Sequence, residues 1–281
     1  MAILALLLGA SAIGASPIFV RLSEVGPLAT AFWRVALAWL PFLLLSQLGG
    51  RAEARPARPR DHVLLLLPGV FLAADLIAWH LSLHMTSVAN ATLFANFAPV
   101  FVTFGSWLIF RVRITGIFLA GLGLALLGIV VMKAGPAQLG GGHLAGDATA
   151  LVAAVFYAGY LLTLGHIRAR FSTLRIMVWT TFSAAACMLP VALFFETGFL
   201  PVTLFGWAII LGLALISHAG GQGLITYALA YLPTAFSSLT LLLQPVVAAI
   251  LAWMLLAEPI GAMQALGGAI VLLGILLARR G

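Results

Sequence analysis

Charge is what this chain has least of. It carries seven Asp and Glu and fourteen Lys and Arg in 281 residues, so 7% of the side chains are charged against 63% hydrophobic, and the mean hydropathy is +1.18. That little polar surface cannot coat a soluble globule of this length, which places the chain in lipid. A single cysteine, Cys187, excludes an intramolecular disulfide. No G-x-x-x-x-G-K-[ST] phosphate loop occurs, so an ATP-driven pump would need a separate subunit. There is no H-E-x-x-H, no cluster of carboxylates and no Cys pair at ligand spacing, so the sequence supports neither a metal or other cofactor nor hydrolytic chemistry. The longest polar insert is residues 49–61, too short for a folded aqueous domain. The apolar residues 1–8 lack a basic leader and an A-x-A site followed by a polar chain, and are read as a retained first helix. The net charge of +7 and pI near 10.8 would point to nucleic acid in a soluble protein. Here the basic residues flank hydrophobic spans, where membrane topology accounts for them and no nucleic-acid partner is expected.

What the chain does have is an internal copy of itself. Residues 87–131 lie over residues 233–277 without a gap at a constant offset of 146, matching Ala89 with Ala235, Leu93 with Leu239, Pro99 with Pro245, Trp107 with Trp253 and Gly121 with Gly267. The run Leu126, Leu127, Gly128, Ile129 falls on Leu272, Leu273, Gly274, Ile275, and Trp33 falls on Trp179. Internal duplication in a strongly apolar chain is a mark of secondary transporters.

A helix needs about 20 apolar residues to cross about 30 Å of hydrocarbon. Cutting the sequence at Pro, Gly and charge clusters predicts ten spans, over residues 2–21, 27–48, 62–83, 88–110, 114–132, 147–165, 173–195, 203–229, 234–256 and 260–278. With the N-terminus inside, the inner loops and tail hold 11 of the 14 basic residues, so the positive-inside rule turns both termini to the cytoplasm of a bacterial inner membrane. Five spans per half is odd, so the second half must cross in the reverse sense. Its charges agree: Arg111 and Arg113 align with Ala257 and Pro259, although Lys133 opposite Arg279 breaks the pattern. The expected fold is an all-α membrane protein of ten transmembrane helices in two inverted five-helix repeats, residues 1–140 and 141–281, with no soluble domain.

The stretches from Thr86, Val88, Ala89 and Asn90 through Pro99 and Val100, and from Pro233, Thr234 and Ala235 through Gln244, Pro245 and Val246, together with the Glu258, Pro259 turn and the Gly- and Leu-rich last spans, resemble the EamA-type carriers of the drug/metabolite transporter superfamily. The likeness covers essentially the full length, and the nearest subgroup is the YddG-type bacterial amino-acid exporters. It implies a ten-helix inverted-repeat carrier. The motifs are apolar and degenerate, specific for the family and weak for substrate.

Polar residues at depth are the candidates for transport. Asp75 is the only acidic residue deep inside a span; an aspartate near the bilayer centre costs about 2.5 to 3.5 kcal/mol on insertion scales, so it should face the interior with a partner. It can serve as a proton site, as a contact for a substrate ammonium group, or as the structural partner of Arg34, the only basic residue inside a span. Trp79, four residues on, shares the Asp75 face and suits a cationic or amphipathic ligand, or the interfacial aromatic belt. His218 and Gln222 lie one turn apart beside Gly220, Gly221 and Gly223, and Gly221 is the repeat equivalent of Asp75, so they share its depth. Cavities of inverted-repeat carriers lie at the repeat interface near the midplane, which makes these residues lining candidates as well as candidates for plain interhelical hydrogen bonds. Tyr157, Asn96 and Gln244 complete the substrate-binding set. Asn96 and Gln244 precede the paired prolines, where an amide can satisfy unwound backbone or bind a ligand.

Pro99 and Pro245 sit mid-span at equivalent places and form a symmetric pair of kinks, read either as gating hinges or as static bends. His80 and His84 are expected at the interface. Gly121 with Gly128 and Gly267 with Gly274 recur as a helix-packing face.

These features support a secondary transporter, not an enzyme, that exports small zwitterionic metabolites, with amino acids favoured, by alternating access at a midplane cavity. Its expected partners are the small-molecule substrate and the lipid bilayer, with no obligate protein partner. Two other readings remain open: a proton-coupled exporter of hydrophobic cations or drugs, and an intramembrane enzyme using Asp75 with His218. A carrier of phosphorylated anions would need several cavity cations, and Arg34 stands alone.

Overall fold

The computed structural model describes residues 1–48, 56, 58–86, 88–133 and 144–281, and every regular element among them is helical. Lipid leaves the backbone no other solvent, so each crossing segment must satisfy its own N–H and C=O groups. Span 1 is Ala2–Gly14 continued by Ser16–Leu22, span 2 is Pro27–Leu48 and span 3 is Pro59–Met85. Span 4 is Val88–Ala95 then Ala98–Phe110, span 5 is Gly116–Lys133, span 6 is Leu144–Ile167 and span 7 is Thr173–Phe195. Span 8 runs Leu204–Gly212, Leu213–Gln222 and Gly223–Ala228, span 9 is Thr234–Thr240 then Leu243–Leu256, and span 10 is Ala262–Ala278. Spans 1 to 9 are each long and apolar enough to cross a bilayer. Span 10 has 17 residues, which at about 1.5 Å of rise each covers most of the hydrocarbon.

The ten predicted spans are therefore all present, with ends shifted by local chemistry. Span 3 starts earlier than expected because Pro59 sits in its first turn and the Asp61 carboxylate accepts the Arg58 N–H at 3.2 Å. The expected division between residues 140 and 141 lies outside the described residues.

The packing obeys the twofold relation. Span 2 packs on span 7 and span 5 on span 10; span 3 packs on span 6 as span 1 packs on span 8, and span 4 on span 6 as span 9 on span 1. The backbone repeats in detail. Arg111 and Ala257, equivalent at the offset of 146, are the two non-glycine residues with positive φ among those described, each at 54°. Each ends its span, and the next residue closes the same wrap-around bond, Val112 N–H donating to Ser106 O at 3.1 Å and Glu258 N–H to Ala252 O at 3.3 Å.

The recurring glycines form the expected packing face. A Cβ on Gly128 would stand 2.6 Å from Val271 N and 2.7 Å from Gly267 O, and one on Gly274 would stand 2.5 Å from Ala125 N and 2.7 Å from Gly121 O. Spans 5 and 10 thus touch backbone to backbone, where lipid offers no hydrophobic drive and close van der Waals contact supplies the cohesion. Gly9 and Gly221 do the same for spans 1 and 8, a Cβ on Gly9 meeting Gly221 O at 2.8 Å.

On the face away from the termini, acidic residues tie one half to the other. The Glu24 carboxylate accepts hydrogen bonds from the N–H groups of Val202 and Thr203, both at 3.1 Å, and from the Thr203 hydroxyl, capping span 8. Those bonds hold its pKa below the ordinary carboxylate value. Glu196 reciprocally accepts the Leu28 N–H of span 2 at 2.8 Å, and Arg21 pairs with Glu258. On the face of the termini, Arg170 pairs with the buried Asp61 at 2.9 Å.

Candidate functional site

Halfway along the bundle, five spans bring polar groups together. Span 2 contributes Arg34, whose guanidinium interacts electrostatically with Tyr157 and Tyr160 of span 6 and Asp75 of span 3. Span 8 contributes His218, also within the field of Arg34, and Gln222. Span 9 contributes Gln244, which with Gln222 faces the Tyr157 hydroxyl. The residues i, i+3 of span 6 and i, i+4 of span 8 fall on single faces, and the twofold packing turns both faces inward.

The geometry divides this cluster into a sealed part and a reachable part. In the sealed part, Tyr160 is fully buried and its hydroxyl donates to Gln222 Oε1 at 3.1 Å. His218 is also buried, its Nε2 3.2 Å from the Thr181 hydroxyl, while its Nδ1 has no partner. Arg34, Asp75, Tyr157 and Gln244 are half-buried, each keeping part of its surface exposed. Arg34 Nε and Gln244 Nε2 lack hydrogen-bond partners.

The structural pairing of Arg34 with Asp75 does not form. The two groups feel each other's charge, yet no ion pair within 4.0 Å joins them. Buried charges that are close and unjoined are costly unless something else compensates them.

Span 8 changes helix type at the site. Leu213–Gln222, the stretch that carries His218, Gly220 and Gly221, is a π-helix. Its wider turn displaces side chains from α-helical register, and such segments occur mostly at functional sites. Periodicity at 3.6 residues could not reveal it.

The remaining predicted residues have separate places. Trp79 is half-buried and packs edge-on against the His80 ring with centroids 5.0 Å apart. His80 is not interfacial as expected: it is buried, with Nδ1 2.6 Å from Leu76 O, because the fold encloses that face of span 3, whereas His84 is exposed. Asn96 donates to Thr92 O at 2.7 Å, using its amide on its own helix. Spans 4 and 9 both break just before Pro99 and Pro245, and Phe97 N–H to Phe94 O at 3.1 Å and Leu242 N–H to Leu239 O at 3.0 Å tighten the chain into i to i+3 turns there. Tyr160, Thr181 and Arg34 were not among the predicted substrate-binding residues. The three-residue spacing of Tyr157 and Tyr160 was the available signal for the first, and the place of Arg34 as the only basic residue inside a span was the signal for the third; only tertiary packing reveals Thr181.

A polytopic bundle of two interlocked, oppositely inserted halves with a polar cluster at mid-depth is the architecture of a secondary carrier. The sequence profile of the EamA-like transporter family matches residues 1–133 and 144–280, and the chain belongs to that family. It is 29% identical over 279 residues to an uncharacterized transporter of Archaeoglobus fulgidus, covering 98% of this chain and 95% of that one. It is 26% identical to the pseudopaline exporter CntI of Pseudomonas aeruginosa, covering 89% and 84% of the two chains. It is 27% identical to a probable terminal-alkyne amino-acid exporter of Streptantibioticus cattleyicolor, covering 82% and 77%. A solved crystal structure shares the fold with a TM-score of 0.82 at 20% identity over 98% of both chains.

Proposed function

We propose that this transporter exports small zwitterionic metabolites, amino acids foremost, by alternating access about the central cluster. The observation that carries the reading is an acidic and a basic side chain, Asp75 and Arg34, that lie within each other's field and are both partly exposed, yet form no ion pair. A substrate with a carboxylate and an ammonium group compensates both at once, the carboxylate on Arg34 and the ammonium on Asp75, while the Tyr157 hydroxyl and the Gln244 amide orient it. A hydrophobic cation needs the carboxylate alone and is repelled by Arg34, so it fits less well. One relative named for amino-acid export supports the same class.

Purified protein in liposomes, offered labelled neutral amino acids, sugar phosphates and lipophilic cations with and without a pH gradient, tests the assignment. Saturable flux of amino acids is expected; flux of lipophilic cations alone overturns it.

The paired breaks at Pro99 and Pro245 act as gating hinges in this reading. Pro99→Ala or Pro245→Ala in the same liposomes should slow turnover while leaving substrate affinity within a few fold, because the contact residues stay in place; wild-type flux in both variants makes the prolines packing features. We also assign both termini to the cytoplasm of the bacterial inner membrane, on the excess of arginine at that face. In a Cys187→Ala background an impermeant thiol reagent added outside whole cells should label Val202→Cys, where the native side chain is 92% exposed, and leave Arg279→Cys unlabelled; the opposite pattern inverts the topology.

A further inference from the structure

Away from the central cluster, a groove of about 1050 Å³ runs between the end of span 4 and the start of span 5, lined along its apolar length by Val100, Phe104, Leu108, Leu119 and Leu122. Phe104, Trp107, Leu108 and Leu119 are each more than half exposed, so they meet hydrocarbon. From Val100 to Leu108 the wall rises about 12 Å, close to the hydrocarbon depth of one leaflet. The groove ends at Arg111 and Arg113, which are exposed and whose side chains make no hydrogen bond or ion pair among the described residues. The left-handed turn at Arg111 brings the chain round so that both arginines line the same groove.

The twofold-related end of span 9 is an internal comparison. It keeps the left-handed turn and the tryptophan, Trp253 for Trp107, but has Ala257, Glu258 and Pro259 where the first half has Arg111, Val112 and Arg113. Glu258 there is held by Arg21. The repeat therefore has no need of the arginines for its fold, and only the end of span 4 carries a pair of them without an acidic partner.

We propose that this groove binds one anionic phospholipid of the leaflet on the side of the termini, its phosphate on Arg111 and Arg113 and an acyl chain along Phe104, Leu108 and Leu119. An apolar channel of leaflet depth ending in two unpaired guanidinium groups matches a lipid tail joined to a phosphate, and arginine suits phosphate through its planar fork of donors. Basic pockets between helices at the cytoplasmic side are where anionic headgroups dock.

Native mass spectrometry of the detergent-purified full chain tests this, with phosphatidylglycerol and phosphatidylethanolamine of identical chains as probes. Phosphatidylglycerol adducts should be retained over phosphatidylethanolamine, and the double variant R111Q/R113Q should weaken phosphatidylglycerol binding about thirtyfold at most, the value for two cations near a membrane surface. The control R279Q/R280Q removes two exposed arginines from the same face and should keep the binding. Leu119→Trp, which fills the groove and leaves the arginines, should lose it. Equal retention of the two lipids, unchanged binding in R111Q/R113Q, an equal loss in R279Q/R280Q, or unchanged binding in Leu119→Trp each overturns the proposal. Melting temperatures of all variants within the wild-type range separate lost binding from lost folding.

Discussion

Asp75→Asn loses amino-acid transport. The replacement keeps shape and hydrogen bonding and removes the charge that stands near Arg34 without pairing to it. A hydrogen bond to a charged group contributes about 1.5 to 3 kcal/mol, so substrate affinity should fall about ten- to hundredfold. Arg34→Gln should produce a loss of the same order, since it removes the carboxylate contact. The pattern of the two variants separates the roles. Asp75→Asn that keeps exchange and loses only the response to a pH gradient makes Asp75 a coupling proton site. Recovery of expression and activity only in the double variant makes the two residues a structural pair after all. Wild-type transport by Asp75→Asn removes the residue from the mechanism. Equilibrium binding of a labelled amino acid together with counterflow in liposomes reads all of these.

The largest effect on stability is expected at Gly128→Leu. A Cβ there would stand 2.6 Å from a backbone nitrogen of span 10, and backbone cannot step aside as a side-chain tip can. Overpacking costs about 1 to 3 kcal/mol for a few added methylenes, and a whole isobutyl group forced between two backbones should reach the upper end or prevent insertion of the pair. A fall in melting temperature on the order of 10 °C, or loss of monodisperse protein, is the expected result. Gly123→Leu in the same span provides the control, because a Cβ at Gly123 meets nothing within 4 Å. Equal melting temperatures for the two variants would show that the glycine face does not hold spans 5 and 10 together.

The class, the number of spans and the repeat were legible because each is a one-dimensional property. Hydrophobic length maps onto bilayer thickness, and an offset of 146 repeats the same fold twice, down to the left-handed residues Arg111 and Ala257. The glycine face was legible for the same reason, since small residues seven apart on one helix mark a close approach. The depth of Asp75, His218 and Gln222 could be read from span boundaries and the repeat frame. What stands opposite them could not. Whether Arg34 meets Asp75 or stops short of it depends on how spans 2, 3 and 6 pack, a matter of a few ångströms between segments about 40 to 120 residues apart in the chain. The π-helix at Leu213–Gln222 and the burial of His80 were hidden likewise, because a shifted hydrogen-bond register and an enclosed helix face arise from neighbouring spans. Composition and periodicity dictate which segments enter the lipid, since the bilayer acts on each segment alone. The polar centre belongs to the packed bundle, because side chains from five spans must meet before their charges can compensate one another or a substrate.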